Sequence, residues 1–174
     1  MFLLVHTVRI GFIYFNHKEN PSAVDLLGSL LKQLLQQGTE LSPALRDLYE
    51  KHVRRETRPT LTEISDCLVS ESRAVSKVYL VVDALDECLD EDIKDEVLSV
   101  LRKLKNLHLL VTSRPSMDIS SHFDAIQLDI RASNDDMEAF IRDRLEKNRN
   151  LKHYVHRDFK DTLIHEVVRK SDGM

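Results

Sequence analysis

Val78-Tyr79-Leu80-Val81-Val82-Asp83, continuing as Ala84-Leu85-Asp86-Glu87-Cys88, is the stretch that decides how this chain folds. Five apolar residues in a row, mostly β-branched or aromatic, are too few for a helix of ordinary length. They show no polar alternation either, so the run predicts a parallel strand buried on both faces. It ends in a carboxylate, and a second acidic pair follows at once. Leu107 to Val111 repeats the pattern and also ends in a polar cluster, Thr112-Ser113-Arg114-Pro115. Between the two runs a helix is expected from about Asp90, with Ile93, Val97, Val100, Leu101 and Leu104 on one side. Strand, helix and strand without a hairpin signal make a parallel unit with a crossover helix.

The same punctuation extends toward the N-terminus. Met1 to Phe15 is the most apolar part of the chain, yet His6, Arg9 and Gly11 interrupt it and it is too short to span a bilayer. It has neither the basic start nor the clean cleavage site of a signal peptide, so it reads as another buried strand. Asn20-Pro21 is expected to open a helix carrying Val24, Leu27, Leu30, Leu31 and Leu34 as far as Gly38. Ser42-Pro43 opens a second, with Leu45, Leu48 and Tyr49 as its stripe, and Thr60 with Glu63 forms a capping box for a third. Toward the C-terminus a weak strand is expected at Ala125 to Leu128. A helix opened by Ser133 follows, with Met137, Phe140, Ile141 and Leu145, and the last helix, roughly Asp158 to Lys170, carries Phe159, Leu163 and Val167. The whole is expected to be an α/β three-layer sandwich around a parallel sheet.

Composition limits the function. The chain has 174 residues, 42% hydrophobic and 31% charged, with a net charge of −4, which is the profile of a globular chain. Net acidity without a dense Lys/Arg block argues against nucleic acid, and Arg54, Arg55 and Arg58 are too small a patch to change that. Two cysteines, Cys67 and Cys88, offer neither a disulfide framework nor a zinc cluster, and a cytoplasmic location without a membrane follows as the expectation. The eight histidines are scattered without metal-ligand context, and Cys88 has no neighbouring base to make it a nucleophile.

Ligands of open parallel sheets sit at the carboxyl ends of the strands, and both polar clusters lie there. Asp83 directly after a buried strand is costly unless paired, and magnesium, held by one or two carboxylates plus nucleotide phosphates, is a natural partner. Asp86 and Glu87 are placed to orient a water. Thr112, Ser113 and Arg114 offer hydroxyls and a guanidinium to a terminal phosphate. The alternative is that Asp83 caps its loop, that Asp86 and Glu87 are merely solvated, and that Arg114 neutralises the acidic cluster beside it.

VYLVVDALDEC followed by NLHLLVTSRP resembles the Walker B and sensor segments of NACHT-type NTPases of the STAND class, and within them the nephrocystin-like N-terminal domains of filamentous fungi. GFIYFNHKENPSAVDLLGSLLKQLL resembles that branch's second strand and helix, and VVRKSDGM the start of its KADGMF-type segment. The resemblance implies a P-loop NTPase sheet, Asp83 as magnesium ligand, Asp86 and Glu87 as water-positioning residues, and Thr112, Ser113 and Arg114 as phosphate sensor. It also implies Mg with ATP or GTP as ligand, and a signalling switch that couples nucleotide state to assembly. It divides the chain into an atypical extension over 1–10, a partial NTPase core over 11–130 and a helical segment over 131–174.

One departure qualifies all of this. No GxxxxGK[ST] stretch occurs in the 174 residues; Lys170-Ser171 is the only Lys followed by Ser or Thr, and it lacks the glycines. The expectation is therefore a core incomplete at its N-terminus, a truncated fragment defective in nucleotide binding and hydrolysis on its own. The alternatives are a non-catalytic module that self-associates or joins full-length NTPase relatives, and an unrelated magnesium-dependent phosphohydrolase. Without the strand that precedes such a loop, the sheet is expected to keep a gap beside Leu107–Val111.

Overall fold

The computed structural model describes residues 7–19, 21–38, 41–115, 119, 121–148 and 157–171. The chain divides into two compact units, Met1–Ala125 and Ile126–Met174. Among the described residues no helix is long and apolar enough to cross a membrane.

The first unit is a small, open, all-parallel sheet with helices. Strand β1 (Val8–Tyr14) pairs with β2 (Lys77–Asp83), and β2 pairs with β3 (Leu107–Val111). Gly11, Leu80 and Leu109 lie in one cross-strand row. Helices α1 (Ala23–Gln36), α2 (Pro43–Arg55) and α3 (Leu61–Arg73) connect β1 to β2; α4 (Glu91–Lys103) connects β2 to β3. Local chemistry sets most of the helix starts. The hydroxyl of Ser42 accepts from the Leu45 amide, Thr60 and Glu63 form the expected capping box, and the Asp90 carboxylate accepts from the amides of Asp92 and Ile93. The start of α1 differs from expectation. Ser22, two residues past Asn20, is the cap, because its hydroxyl both accepts from the Asp25 amide and donates to the Asp25 carboxylate.

The core lies on one face of the sheet. Leu27, Leu30 and Leu34 of α1, Leu68 of α3, and Val97 and Leu101 of α4 close over Ile13, Val78, Leu80 and Val82. Gly11 makes the close approach of α1 possible: a Cβ there would lie 2.6 Å from Leu30 Cδ1 and 3.0 Å from Leu80 Cδ2. Residues of the opposite register are exposed on all three strands, with Phe12 at 62%, Ile10 at 60% and Leu110 at 58%. The expectation of strands buried on both faces, and with it the third layer, is corrected among the described residues. Both crossovers step the same way across the sheet, from β1 to β2 and on to β3. Right-handed connections that advance in one direction lay their helices on one side.

The sheet's two edges differ as well. Gln33 and Gln37 of α1 act as a strand substitute along β1. The Phe12 amide donates to Gln33 Oε1 (2.9 Å) while Gln33 Nε2 donates to the Phe12 carbonyl (2.9 Å). Gln37 treats Ile10 in the same way, at 2.9 and 2.6 Å. On β3, the bonds from Val78 N to Asn106 O and from Thr112 N to Val82 O set the parity, so the backbones of Leu107, Leu109 and Val111 face away from β2, where no strand pairs among the described residues.

The strand expected at Ala125–Leu128 is not formed: residues 123–133 have no regular structure, and Ile126 and Leu128 are exposed. The Met1–Val5 run and the Gly-Met end of the KADGMF-like segment lie outside the described residues. In the second unit α5 (Asn134–Lys147), capped by Ser133 as expected, packs on α6 (Arg157–Ser171). The buried stripe of α6 is Ile164 and Val168 against Met137 and Leu145, one residue out of step with the expected Phe159, Leu163 and Val167. Phe140 is exposed, with the Arg144 guanidinium 5.2 Å from its ring centre.

Candidate functional site

At the carboxyl ends of β2 and β3 the two polar clusters meet. The joint is Thr112. Its amide donates to Val82 O (2.9 Å), its hydroxyl donates to Asp83 Oδ1, and Thr112 Oγ1 itself accepts from the Ala84 amide (3.0 Å). The Thr112 carbonyl accepts from the Leu85 amide at 3.0 Å. These bonds hold Ala84 in the left-handed region (φ 55°, ψ 47°), where a side chain with a Cβ costs about 1–2 kcal/mol. The bend turns the chain from the strand into a 3-10 turn, Leu85–Glu87, with Leu85 buried beneath it.

That turn sends its two carboxylates in different directions. Asp86 is taken up by Arg114: the Arg114 amide donates to Oδ1 and its Nε lies 3.1 Å from Oδ2. Glu87 reaches the loop after β1, where both the amide and Nδ1 of His17 lie 3.1 Å from its Oε2. The His17 amide above all, then its imidazole and the more distant Arg114 charge, holds the Glu87 carboxyl below the usual range. Ser113 turns away and donates to the Arg114 carbonyl at 3.2 Å.

The structure thus joins Asp83 to Thr112 and Asp86 to Arg114, leaves Ser113 apart, and adds His17 beside Glu87. His17 has no signal in the sequence, because its partner lies seventy residues away. A cleft of about 440 Å³ opens on that side, lined by Phe15, Asn16, His17, Glu87 and Cys88 among others. Cys88 is buried, donates to the Asp90 carbonyl at 3.3 Å, and has its thiol pushed up by desolvation, which disfavours the thiolate form.

Among the described residues no three His, Cys, Asp or Glu side chains converge as a metal cage. Asp83 and Thr112 do present adjacent hard oxygen donors at an exposed strand end, the donor chemistry of a magnesium ion that brings its remaining ligands as water and phosphate.

No curated protein and no solved structure matches the chain. The model of one family, nephrocystin 3, N-terminal, matches residues 5–114, more than half of the chain and all three strands, and the chain belongs to that family.

Proposed function

We propose that the chain is the core of a NACHT/STAND-type signalling NTPase of the fungal nephrocystin-like kind, built on a P-loop NTPase sheet. In that reading the ends of β2 and β3 form two walls of a nucleoside triphosphate site. The observation that carries the reading is the Thr112–Asp83 bond across adjacent strand ends, with Arg114 and Asp86 paired just above it. Asp83, with the Thr112 hydroxyl beside it, holds the magnesium that accompanies ATP or GTP, and the ion neutralises phosphate charge when bound. Arg114, its side chain 78% exposed, swings its guanidinium from Asp86 to a terminal phosphate, while Asp86, 17% exposed, keeps the bond from the Arg114 amide. Glu87, kept ionised by His17, orients a water from the cleft side, and Asp86 is freed to assist once Arg114 has moved.

The 174 residues supply no glycine-rich loop with its backbone amides and phosphate-reaching lysine. Each lost charge-assisted bond is worth roughly 1.5–3 kcal/mol, so binding is weak and turnover negligible for the chain by itself. Isothermal titration with MgATP and MgGTP tests this. The expected result is magnesium-dependent binding with a Kd of roughly 0.1–5 mM, lost in Asp83→Asn. Low-micromolar affinity overturns the weak-binding reading, and silence at saturating nucleotide overturns the site.

A further inference from the structure

We propose that the sheet face left uncovered among the described residues is a self-association surface, on which two copies of the chain stack sheet against sheet about a two-fold axis lying along the Gly11–Leu80–Leu109 row. The apolar part of the inference is independent of the nucleotide reading, since Phe12 and its neighbours lie on the face rather than at the strand ends; only the charge arm shares Asp83 with that reading.

The face is apolar, and wide enough. Val8, Ile10, Phe12, Tyr14, Tyr79 and Leu110 stand on it, each between 39% and 62% exposed. With three aromatics of about 200 Å² each among them, they offer on the order of 700 Å², against roughly 800 Å² per partner in a standard interface. Single exposed apolar residues are ordinary, but a contiguous patch of this size marks a contact surface. All-parallel sheets, moreover, occur almost only with both faces covered.

Its pattern points to a second copy as the occupant. The register aligns Gly11, Leu80 and Leu109, so a two-fold axis along that row maps each strand onto its own counterpart, running the opposite way. Ile10 then faces the partner's Phe12, Val8 the partner's Tyr14, Tyr79 the partner's Val81, and His108 the partner's Leu110. In the three pairs built on Phe12, Tyr14 and Tyr79 a larger ring meets a smaller aliphatic side chain, the alternation that lets two layers interdigitate, while His108 and Leu110 are of similar size. Charge agrees with size. On β2 the exposed ends of this face are Lys77 and Asp83, and the axis places each against its opposite on the partner. Growth along the edges is a weaker route, because Gln33 and Gln37 already close the β1 edge.

Sedimentation velocity of the 174-residue chain, over a hundredfold range of concentration, reads the outcome. A closed dimer is expected. Phe12→Asp buries a charge against Ile10 and should raise the dimer Kd at least about 100-fold. Because Phe12 is exposed in the single chain, its circular dichroism and thermal transition should be retained. Lys77→Asp should weaken the dimer about tenfold at low salt and less at 0.5 M. Adding Asp83→Lys to Lys77→Asp restores opposite charges and should recover the dimer, a result that only an antiparallel stack of β2 on β2 yields. A monomer at all concentrations overturns the proposal. So does a dimer indifferent to Phe12→Asp, as pairing through the open β3 edge would be, and so does open-ended aggregation.

Discussion

The two faces of the three-stranded sheet are drawn from the same strands and nearly the same residue types, yet they have different fates. On the covered side Gly11, Ile13, Val78, Leu80 and Val82 are buried under α1, α3 and α4. On the other, Ile10, Phe12 and Tyr14 are left in the open although they are as large or larger and mostly hydrocarbon. Hydrophobicity therefore does not decide which face is covered. Connection geometry does: each right-handed crossover advances from β1 toward β3, and only a connection stepping back would place a helix on the far side. The glutamine ladder on β1 follows from the same one-sidedness, since α1 lies close enough for Gln33 and Gln37 to reach over the edge.

The largest expected effect sharpens this contrast. Leu80→Ala removes a fully packed side chain from the covered face and should cost about 2–5 kcal/mol, read as a lower urea midpoint at unchanged slope. Phe12→Ala, measured at concentrations dilute enough to keep the chain single, removes a larger side chain and should cost under about 1 kcal/mol. Equal losses would mean that the far face is covered within one chain. Gly11→Ala comes next. Its methyl would press on Leu30 and Leu80, both closely packed, so the helix must move out; about 1–3 kcal/mol should be lost. A methyl added on the opposite face has no such neighbour to meet.

Much of this was legible in the sequence, and the boundary of legibility has a physical cause. The Thr60–Glu63 box, the caps at Ser42 and Ser133 and the helix start near Asp90 rest on interactions within a few residues, so local chemistry is enough; Leu107–Val111 was legible as a strand from its apolar run, although its partner β2 lies far back in the sequence. The run Val78–Val82 reads as buried on both sides because apolarity reports what a strand tolerates, not what its neighbours supply. Ala125–Leu128 shows the converse: a short apolar stretch with no adjacent strand to bond remains irregular. In the candidate site the residue types at the strand ends were legible. Their pairing was not, for the Asp86–Arg114 and Glu87–His17 contacts depend on the turn after Ala84. Arg114 was expected either at a phosphate or on the acidic cluster, and in the structure it is on Asp86.

Thr112→Val tests the joint between the strand ends, where both faces terminate. The valine keeps the shape and the backbone bonds to Val82 and Leu85. It loses the hydroxyl that donates to Asp83 and accepts from the Ala84 amide. A loss of about 1–2 kcal/mol is expected in thermal unfolding, tempered by the exposure of the site. Ala84→Gly in the same background should recover part of it, because glycine adopts the left-handed bend without help. If Thr112→Val is neutral, the bend is held by the backbone alone.

The smallest effect concerns acid, and it acts on the covered side only. Glu63 closes the N-terminus of α3: its carboxylate accepts from the Thr60 amide (2.8 Å) and hydroxyl, and pairs with Lys51. The Lys51 bond foremost, then the Thr60 amide, lowers its pKa from an ordinary 4.5 to about 2. A carboxyl depressed by folding stabilises the fold above its unfolded pKa, and that contribution fades as pH falls toward the folded value. Glu63→Gln keeps a capping-box side chain but does not titrate. His52 Nε2 also lies 3.1 Å from Glu63 Oε2, so the comparison is made with His52→Gln in both chains. The urea midpoint of the chain that keeps Glu63 should exceed that of the chain carrying Glu63→Gln at neutral pH, and the difference should shrink as pH falls between 4.5 and 2. Taking the difference cancels the titration of the other carboxylates, whose environments the substitution leaves alone. A difference that stays flat through that window would mean that Glu63 holds α3 by shape rather than by charge.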